Sequence, residues 1–499
     1  MTETIRCLWI GFAVGVLGLL RRCIEAEPRL LRLTRRAWMQ PVLRWSCRMK
    51  ALRVHLDAAR RCPAYRAFLE AQGCEPATRW ADFKDIPATD KENYVKRYAI
   101  EARCYGGEIP RAGVVIDESS GSSGRPNNWV RGRAELASVR RLIQFAYRQA
   151  YGDRPMIVLN CFALGAWATG MNVTMSLADI AMIKSIGPDK DRVDNTLREF
   201  GDGYRYLIAG YPPFLKNYAD TAGVDLPSYD IHLVLGGEGM SEGLRDHLLG
   251  SFTTVRSSFG ASDLEINIGV ETAKTIALRR RCVRDVGLCR ALFGRPTPPM
   301  IFQYNPADYY IEASREGELI FTVARRANIA PKVRYNLRDE GGVIAMDRLN
   351  TVLAEQGVAA GEIGRDESAL PLLYVFGRSD MTVAFYGANL YPGDIEAAIN
   401  REPELTAACN GFQMRVEEDR VSLRPTLVIT LERSESGASP MPDPGRLREM
   451  FLTRLVEVNQ DFREVRKMFD ADQLAVEIED YGAGPFSDRD IRVKSRYLG

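Results

Sequence analysis

From Asp117 to Pro126 the chain reads Asp-Glu-Ser-Ser-Gly-Ser-Ser-Gly-Arg-Pro, with four serines, two glycines and one arginine. Backbone N–H groups are unobstructed in such a stretch, the hydroxyls add donors, and Arg125 adds a fixed cation. Those are the parts needed to wrap a polyphosphate. Gly121 and Gly124 let the backbone approach oxygen atoms closely. A flexible linker has the same composition, but this loop lies between apolar segments and not between domains. The run Val114–Ile116 before it and Asn128–Arg131 after it predict strand, loop, strand, then a helix from near Arg133. The glycine spacing fits neither a Walker A loop nor a dinucleotide fingerprint. A phosphate held here would therefore not rest on a helix N-terminus.

A chain of 499 residues is expected to form more than one domain. Its 46% hydrophobic and 26% charged residues are those of a soluble globular protein. The net charge of +2 gives no case for nucleic-acid binding. Three histidines are too few for a His-rich metal site. Ten irregularly spaced cysteines argue against a disulfide framework and for reduced thiols in a cytoplasmic protein.

The loop needs a scaffold, and the chain around it supplies one. Leu43–Gly73 and Ala134–Tyr151 have helical periodicity. From Met156, apolar strand candidates alternate with helices: Met156–Leu159, Tyr206–Ala209 and His232–Leu235 against Val173–Ile183, Phe214–Thr221 and Glu242–Leu249. That alternation implies a mostly parallel sheet, with ligands gathered at the carboxyl ends of its strands. Gly210–Pro213, Gly236–Gly239 and Ser258–Asp263 all follow such ends, so three loops are expected to converge on one cleft. Further on, Glu316–Thr322 and Arg334–Asp339 predict antiparallel strands. Phe376–Asp380 predicts a tight connector into a fresh α+β segment.

The N-terminus carries the uncharged run Cys7–Leu20, flanked by Arg6, Arg21 and Arg22. It is shorter than the roughly 20 apolar residues of a spanning helix. Three readings stay open: a helix lying on the inner membrane face beside Arg21, Arg22, Arg29, Arg32, Arg35 and Arg36, a helix packed on the protein itself, or a true start at Met39 or Met49.

Taken in order, these segments resemble the adenylate-forming superfamily, and most closely its phenylacetate–CoA ligase-like branch with the coenzyme F390 synthetase-like and capsule-associated proteins. The resemblance covers roughly residues 45 to 496. Ser119-Ser120-Gly121-Ser122-Ser123-Gly124-Arg125-Pro126 resembles the family's ATP-phosphate loop. Gly236-Gly237-Glu238 resembles the segment lining the adenine and acyl pocket, and the resemblance makes Phe162 or Trp167 a candidate for lining the acyl part. Phe259-Gly260-Ala261-Ser262-Asp263 resembles the motif whose aromatic stacks on adenine and whose acid holds Mg²⁺. Arg334–Asp339 resembles the motif whose aspartate, here Asp339, holds the ribose hydroxyls. Gly377-Arg378-Ser379-Asp380 resembles the hinge, with Arg378 on the ribose and Asp380 as the pivot. Tyr386–Pro392 resembles the loop facing the thiol acceptor.

The resemblance implies an α/β fold. A large N-terminal domain of mostly parallel sheets with a β-barrel-like part (45–376) would precede a small mobile α+β lid (377–499), after an N-terminal extension (1–44). It implies ATP and Mg²⁺ as cofactors, with CoA or an acyl or peptidyl carrier protein as thiol acceptor and a small carboxylic acid as substrate. A cytoplasmic location follows, peripheral on the inner membrane face if the N-terminus associates there. The departures are Asp263 for the usual glutamate, Phe259 for tyrosine, and the tail Ser487–Val493, where Arg489 stands in the catalytic lysine's slot and Lys494 lies five residues on. Arginine keeps the charge but not the compact ammonium. Slow adenylation, service by Lys494, an adenylyltransferase without a thioester step, and a degenerate nucleotide binder are all compatible with that tail.

Overall fold

The computed structural model describes residues 14–15, 35–119, 127–364, 368–378, 383–419, 422–434 and 440–487. Helix α1 (Gln40–Arg61) and helix α2 (Pro63–Ala71) break at Cys62, where Pro63 starts the second helix and cannot continue the first. Strands β1 (Val114–Ser119) and β2 (Asn127–Gly132) form an antiparallel hairpin in which Ser119 faces Asn127. Helix α3 (Arg133–Tyr151) follows directly, as the sequence predicts.

The next segment alternates: β3 (Ile157–Asn160), α4 (Ala168–Leu177), β4 (Met182–Ser185), α5 (Lys190–Phe200), β5 (Arg205–Gly210), α6 (Pro212–Thr221), β6 (Asp230–Leu235), α7 (Glu242–Leu249) and β7 (Thr254–Phe259). These strands pair in parallel in the order β4-β3-β5-β6-β7. The sheet is apolar on both faces. Ile157, Leu159, Tyr206 and Ile208 pack toward α5, α6 and α7, while Val158 and Leu207 pack toward α3 and α4. This is the pattern of a strand buried on both sides. One expectation fails: the helix foreseen over Val173–Ile183 ends at Leu177, and Met182–Ser185 is the edge strand β4. The apolar run contains no Gly or Pro to mark that change.

Beyond β7 come β8 (Gly269–Val270), α8 (Ala273–Arg284), α9 (Val286–Phe293), β9 (Met300–Tyr304), β10 (Tyr309–Ala313), β11 (Glu318–Val323), β12 (Tyr335–Ile344), α10 (Met346–Glu355) and β13 (Leu372–Arg378). The strands among them join antiparallel and continue the same sheet, giving eleven strands in the order β10-β11-β12-β13-β9-β8-β7-β6-β5-β3-β4. Helices α1 and α2 share a core with the antiparallel half through Leu52, Phe68, Phe321 and Tyr335.

The C-terminal part has its own core. It comprises a small hairpin of β14 (Val383–Phe385) and β15 (Ala388–Leu390), then α11 (Pro392–Asn400), α12 (Pro403–Ala408), β16 (Cys409–Glu418), β17 (Pro425–Arg433), α13 (Pro444–Val458), α14 (Gln460–Val465) and β18 (Leu474–Glu479). The strands β16-β17-β18 form a separate sheet covered by α11, α13 and α14. No helix among the described residues is long and apolar enough to cross a membrane.

Candidate active site

The serine-glycine segment joins β1 to β2, so its ends are fixed by the hairpin register from Val114–Gly132 to Ser119–Asn127. Ser120, Gly121, Ser122, Ser123, Gly124 and Arg125 lie outside the described residues, as do Asp380, Arg489 and Lys494. The hairpin is held from below by a buried arginine that the sequence did not flag. Arg131 on β2 donates to Asp117 on β1 at 3.2 Å and to Glu135 at the start of α3 at 3.0 Å. Its remaining N–H groups reach the carbonyls of Ser262 and Leu264. Burial works against the charge of Arg131, but Glu135 and Asp117 outweigh it and raise its pKa. One guanidinium thus ties the hairpin to the loop that carries Asp263.

That loop leaves β7 at Phe259, which packs against Phe302 and Phe321 with ring centroids 5.7 and 6.3 Å away. Gly260 has no room for a side chain: a Cβ there would sit 2.6 Å from the Asn267 nitrogen. Asp263 is buried. It accepts from the Tyr335 hydroxyl at 2.9 Å and pairs with Lys91 Nζ at 3.3 Å. Lys91 follows Asp90, whose side chain caps the short turn Lys91–Val95. Burial opposes the Lys91 charge, yet Asp263 and then Tyr391 raise its pKa overall.

Asp339 and Arg378 face each other across β12 and β13, 4.0 Å apart. The Arg378 charge is felt by both Lys91 and Tyr335. Asp263, Lys91, Tyr335, Arg378 and Asp339 therefore form one connected cluster, built from four segments remote in sequence. Ser262 contributes its carbonyl to Arg131 and so fixes the approach of Asp263.

The other two carboxyl-end loops meet beside it. Gly237 has φ +85, and a Cβ there would lie 2.8 Å from the Tyr211 ring. Gly236 lies against Ser258 and Phe162, and Phe162 meets Tyr211 edge-on at 5.1 Å. Trp167 instead bridges to Glu118 and anchors the hairpin. Glu238 accepts from the Gly387 N–H of the C-terminal part. Burial pushes the Glu238 carboxyl up to about 7, against the downward pull of that N–H. Gly387 has φ +89, and its Cβ would strike the Tyr211 ring at 2.6 Å. The segment Tyr386–Pro392 thus closes over the cleft, with Gly387 on Glu238 and Tyr391 near Lys91. Ser241 on the large sheet's side also donates to Glu418 at 2.7 Å.

Neither protein-family models nor curated protein sequences give a match to this chain. Solved structures do. The chain aligns with 2-hydroxyisobutyryl-CoA ligase, in complex with 2-HIB-AMP and CoA in the thioesterification state, at a TM-score of 0.64 and 16% identity, covering 93% of this chain and 91% of that one. An open conformation of the same ligase, also with 2-HIB-AMP and CoA, aligns at 0.53 and 16% over 91% and 90%. Its postadenylation state with 2-HIB-AMP aligns at 0.53 and 15% over 93% and 91%. From the eleven-stranded sheet to the separate C-terminal sheet, the chain has the fold of that ligase.

Proposed function

We propose that this protein is an ATP-dependent ligase that activates a carboxylic acid as its acyl adenylate and transfers the acyl group to a thiol, CoA or a carrier-protein pantetheine. The observation that carries this reading is the cluster Asp263–Lys91–Arg378–Asp339, reached by the ordered motifs of one superfamily. In the first step the substrate carboxylate attacks the α-phosphorus of ATP, and pyrophosphate leaves. Negative charge builds on the phosphoryl oxygens, and donors fixed beforehand stabilise it most effectively. The hairpin loop Ser119–Arg125 holds the phosphates, Asp339 and Arg378 hold the ribose, and Phe259 with Gly236–Glu238 borders the base and acyl group.

Among the described residues no group of three or more His, Cys, Asp or Glu side chains gathers around one point. That suits Mg²⁺, which takes one or two carboxylates and completes its shell with phosphate oxygens and water. Asp263 would be the protein ligand, and the ion would supply charge neutralisation for the leaving pyrophosphate. Lys91 holds Asp263 in place beforehand. In the second step the thiol attacks the acyl carbonyl and AMP leaves. Gly387 borders that step, since a side chain there would strike the Tyr211 ring. The higher score against the thioesterification state supports assigning this arrangement of the C-terminal part to that step.

Detection of AMP and an acyl-CoA after incubation with ATP, Mg²⁺, CoA and a panel of aromatic, aliphatic and hydroxy acids tests the reading. AMP-linked product without any thioester would favour an adenylyltransferase instead, a reading that draws on Arg489 in the lysine slot. A phenylacetate-like acid is the first member of the panel because of the branch that the motifs resemble.

Contact with a membrane surface is also part of the proposal. Trp38 just before α1, and Val42 and Trp45 in its first turns, are 64%, 47% and 42% exposed. Arg36 precedes them and Arg44 lies between Val42 and Trp45. Tryptophan and arginine on an exposed helix start suit the headgroup layer of anionic lipid.

A further inference from the structure

We infer that the cavity beneath the serine-glycine hairpin is a second anion site, built by Arg103 and Lys332 around Trp129 and suited to a phosphate-class oxyanion. The cavity is lined by both cations together with Trp129, Asn128 and Tyr335, and no Asp or Glu lines it. Both cationic side chains are buried, Arg103 at 9% exposure and Lys332 at 7%. Lys332 Nζ lies 3.6 Å from the Trp129 ring centroid, and the Arg103 guanidinium lies 5.5 Å from it. Arg103 donates weakly to the Asn128 carbonyl at 3.4 Å, while its Nε is enclosed and has no partner.

Two buried cations lining one cavity call for a counter-charge. A ring face supplies only part of one. No nearby carboxylate enters the cavity: Asp117 and Glu135 bind Arg131, Asp263 binds Lys91 and Tyr335, and Glu135 and Asp263 reach Lys332 only through their charge. The strain is visible at Lys332. Burial first, then the charges of Arg131 and Arg103, depress its ammonium well below the usual lysine range, with Glu135 and Asp263 pulling the other way. An oxyanion between Arg103 Nε and Lys332 Nζ would satisfy the orphaned donor and both charges at once.

The position is informative. Trp129 and Asn128 belong to the strand that leaves the phosphate loop, and Tyr335 separates the cavity from Asp263. The anion is therefore either a terminal phosphate group of a nucleotide in the neighbouring cleft or free phosphate. Its binding rests on these side chains and not on the acyl-transfer reading.

Calorimetric titration of the full-length protein with pyrophosphate and with inorganic phosphate, at constant ionic strength, tests the site. Arg103→Met and Lys332→Met should each weaken pyrophosphate binding about tenfold or more. Lys332→Gln, which keeps a polar head but loses the charge, should do the same and serves if a methionine variant does not fold. If the nucleotide is the source, Lys332→Gln weakens ATP binding and leaves AMP binding intact. If free phosphate is the source, phosphate and ATP bind together without competing. Pyrophosphate and phosphate affinities equal to wild type in folded Lys332→Gln, or no binding of either to the wild type, would overturn the site. A failed acyl-transfer reading would appear separately, as anion binding with no acid-dependent chemistry.

Discussion

Glu238 is the residue whose chemistry is easiest to isolate. Its carboxyl is raised from 4.5 to about 7 by burial, with the Gly387 N–H pulling down. A carboxyl raised in the folded state binds its proton more tightly there than in the unfolded chain. Stability is therefore greatest below about 4.5 and falls as pH rises to about 7, by an amount on the order of 3 kcal/mol. Glu238→Gln keeps an oxygen for Gly387 and removes the titration. Melting curves from pH 5 to pH 8 (roughly the window set by the shift) should show a flatter profile for the variant and a higher Tm than wild type at the upper end. A wild-type profile that is already flat would contradict this. Arg489 offers a second residue-scale test. Arg489→Lys restores a compact ammonium and should raise the adenylation rate by about an order of magnitude or more, since a single well-placed donor is worth roughly 10²–10³ in rate. No gain on that substitution would point to Lys494, or to neither, as the working cation.

At the scale of elements, the hairpin and the Asp263 loop stand or fall with Arg131. Arg131→Met leaves Asp117 and Glu135 buried without their partner, which typically costs about 3–5 kcal/mol. Urea unfolding should show that loss, and the KM for ATP should rise because the proposed phosphate loop is no longer tied to Asp263. Equal stability to wild type would refute the tie. Much at this scale was legible in the sequence. Val114–Ile116 and Asn128–Arg131 announce the hairpin, and Tyr206–Ala209 and His232–Leu235 announce buried strands, because apolar content and glycine breaks are local signals. Helix α7 was foreseen at Glu242–Leu249. What was not legible is non-local. Lys91 reads as part of an ordinary helix start, and only the fold brings it to Asp263 across 172 residues. Arg131 reads as one more strand arginine until its four acceptors come together. Lys332 was missed for the same reason. The α4–β4 junction reads as continuous helix because Val173–Ile183 holds no Gly or Pro to mark the change.

The part built on the large sheet and the C-terminal part meet at Glu238, Tyr211 and Gly387, with the Tyr386–Pro392 segment folded over the cleft. Gly387→Ala puts a methyl group 2.6 Å from the Tyr211 ring at a backbone angle of +89°, so this arrangement cannot form unstrained. If the arrangement serves thioester formation, Gly387→Ala should lose acyl transfer to CoA while keeping acid-dependent adenylation. Equal loss of both would assign the contact to the first step or to stability. The account depends most on the premise that Asp263, Asp339, Arg378 and the serine-glycine hairpin surround one ATP. Exchange of labelled pyrophosphate into ATP, driven by added carboxylic acid, measures that directly. The account predicts acid-dependent exchange by the wild-type protein and a fall of about 10²–10³ in Asp263→Asn. Absence of exchange across aromatic, aliphatic and hydroxy acids, in protein that demonstrably binds ATP, would contradict it.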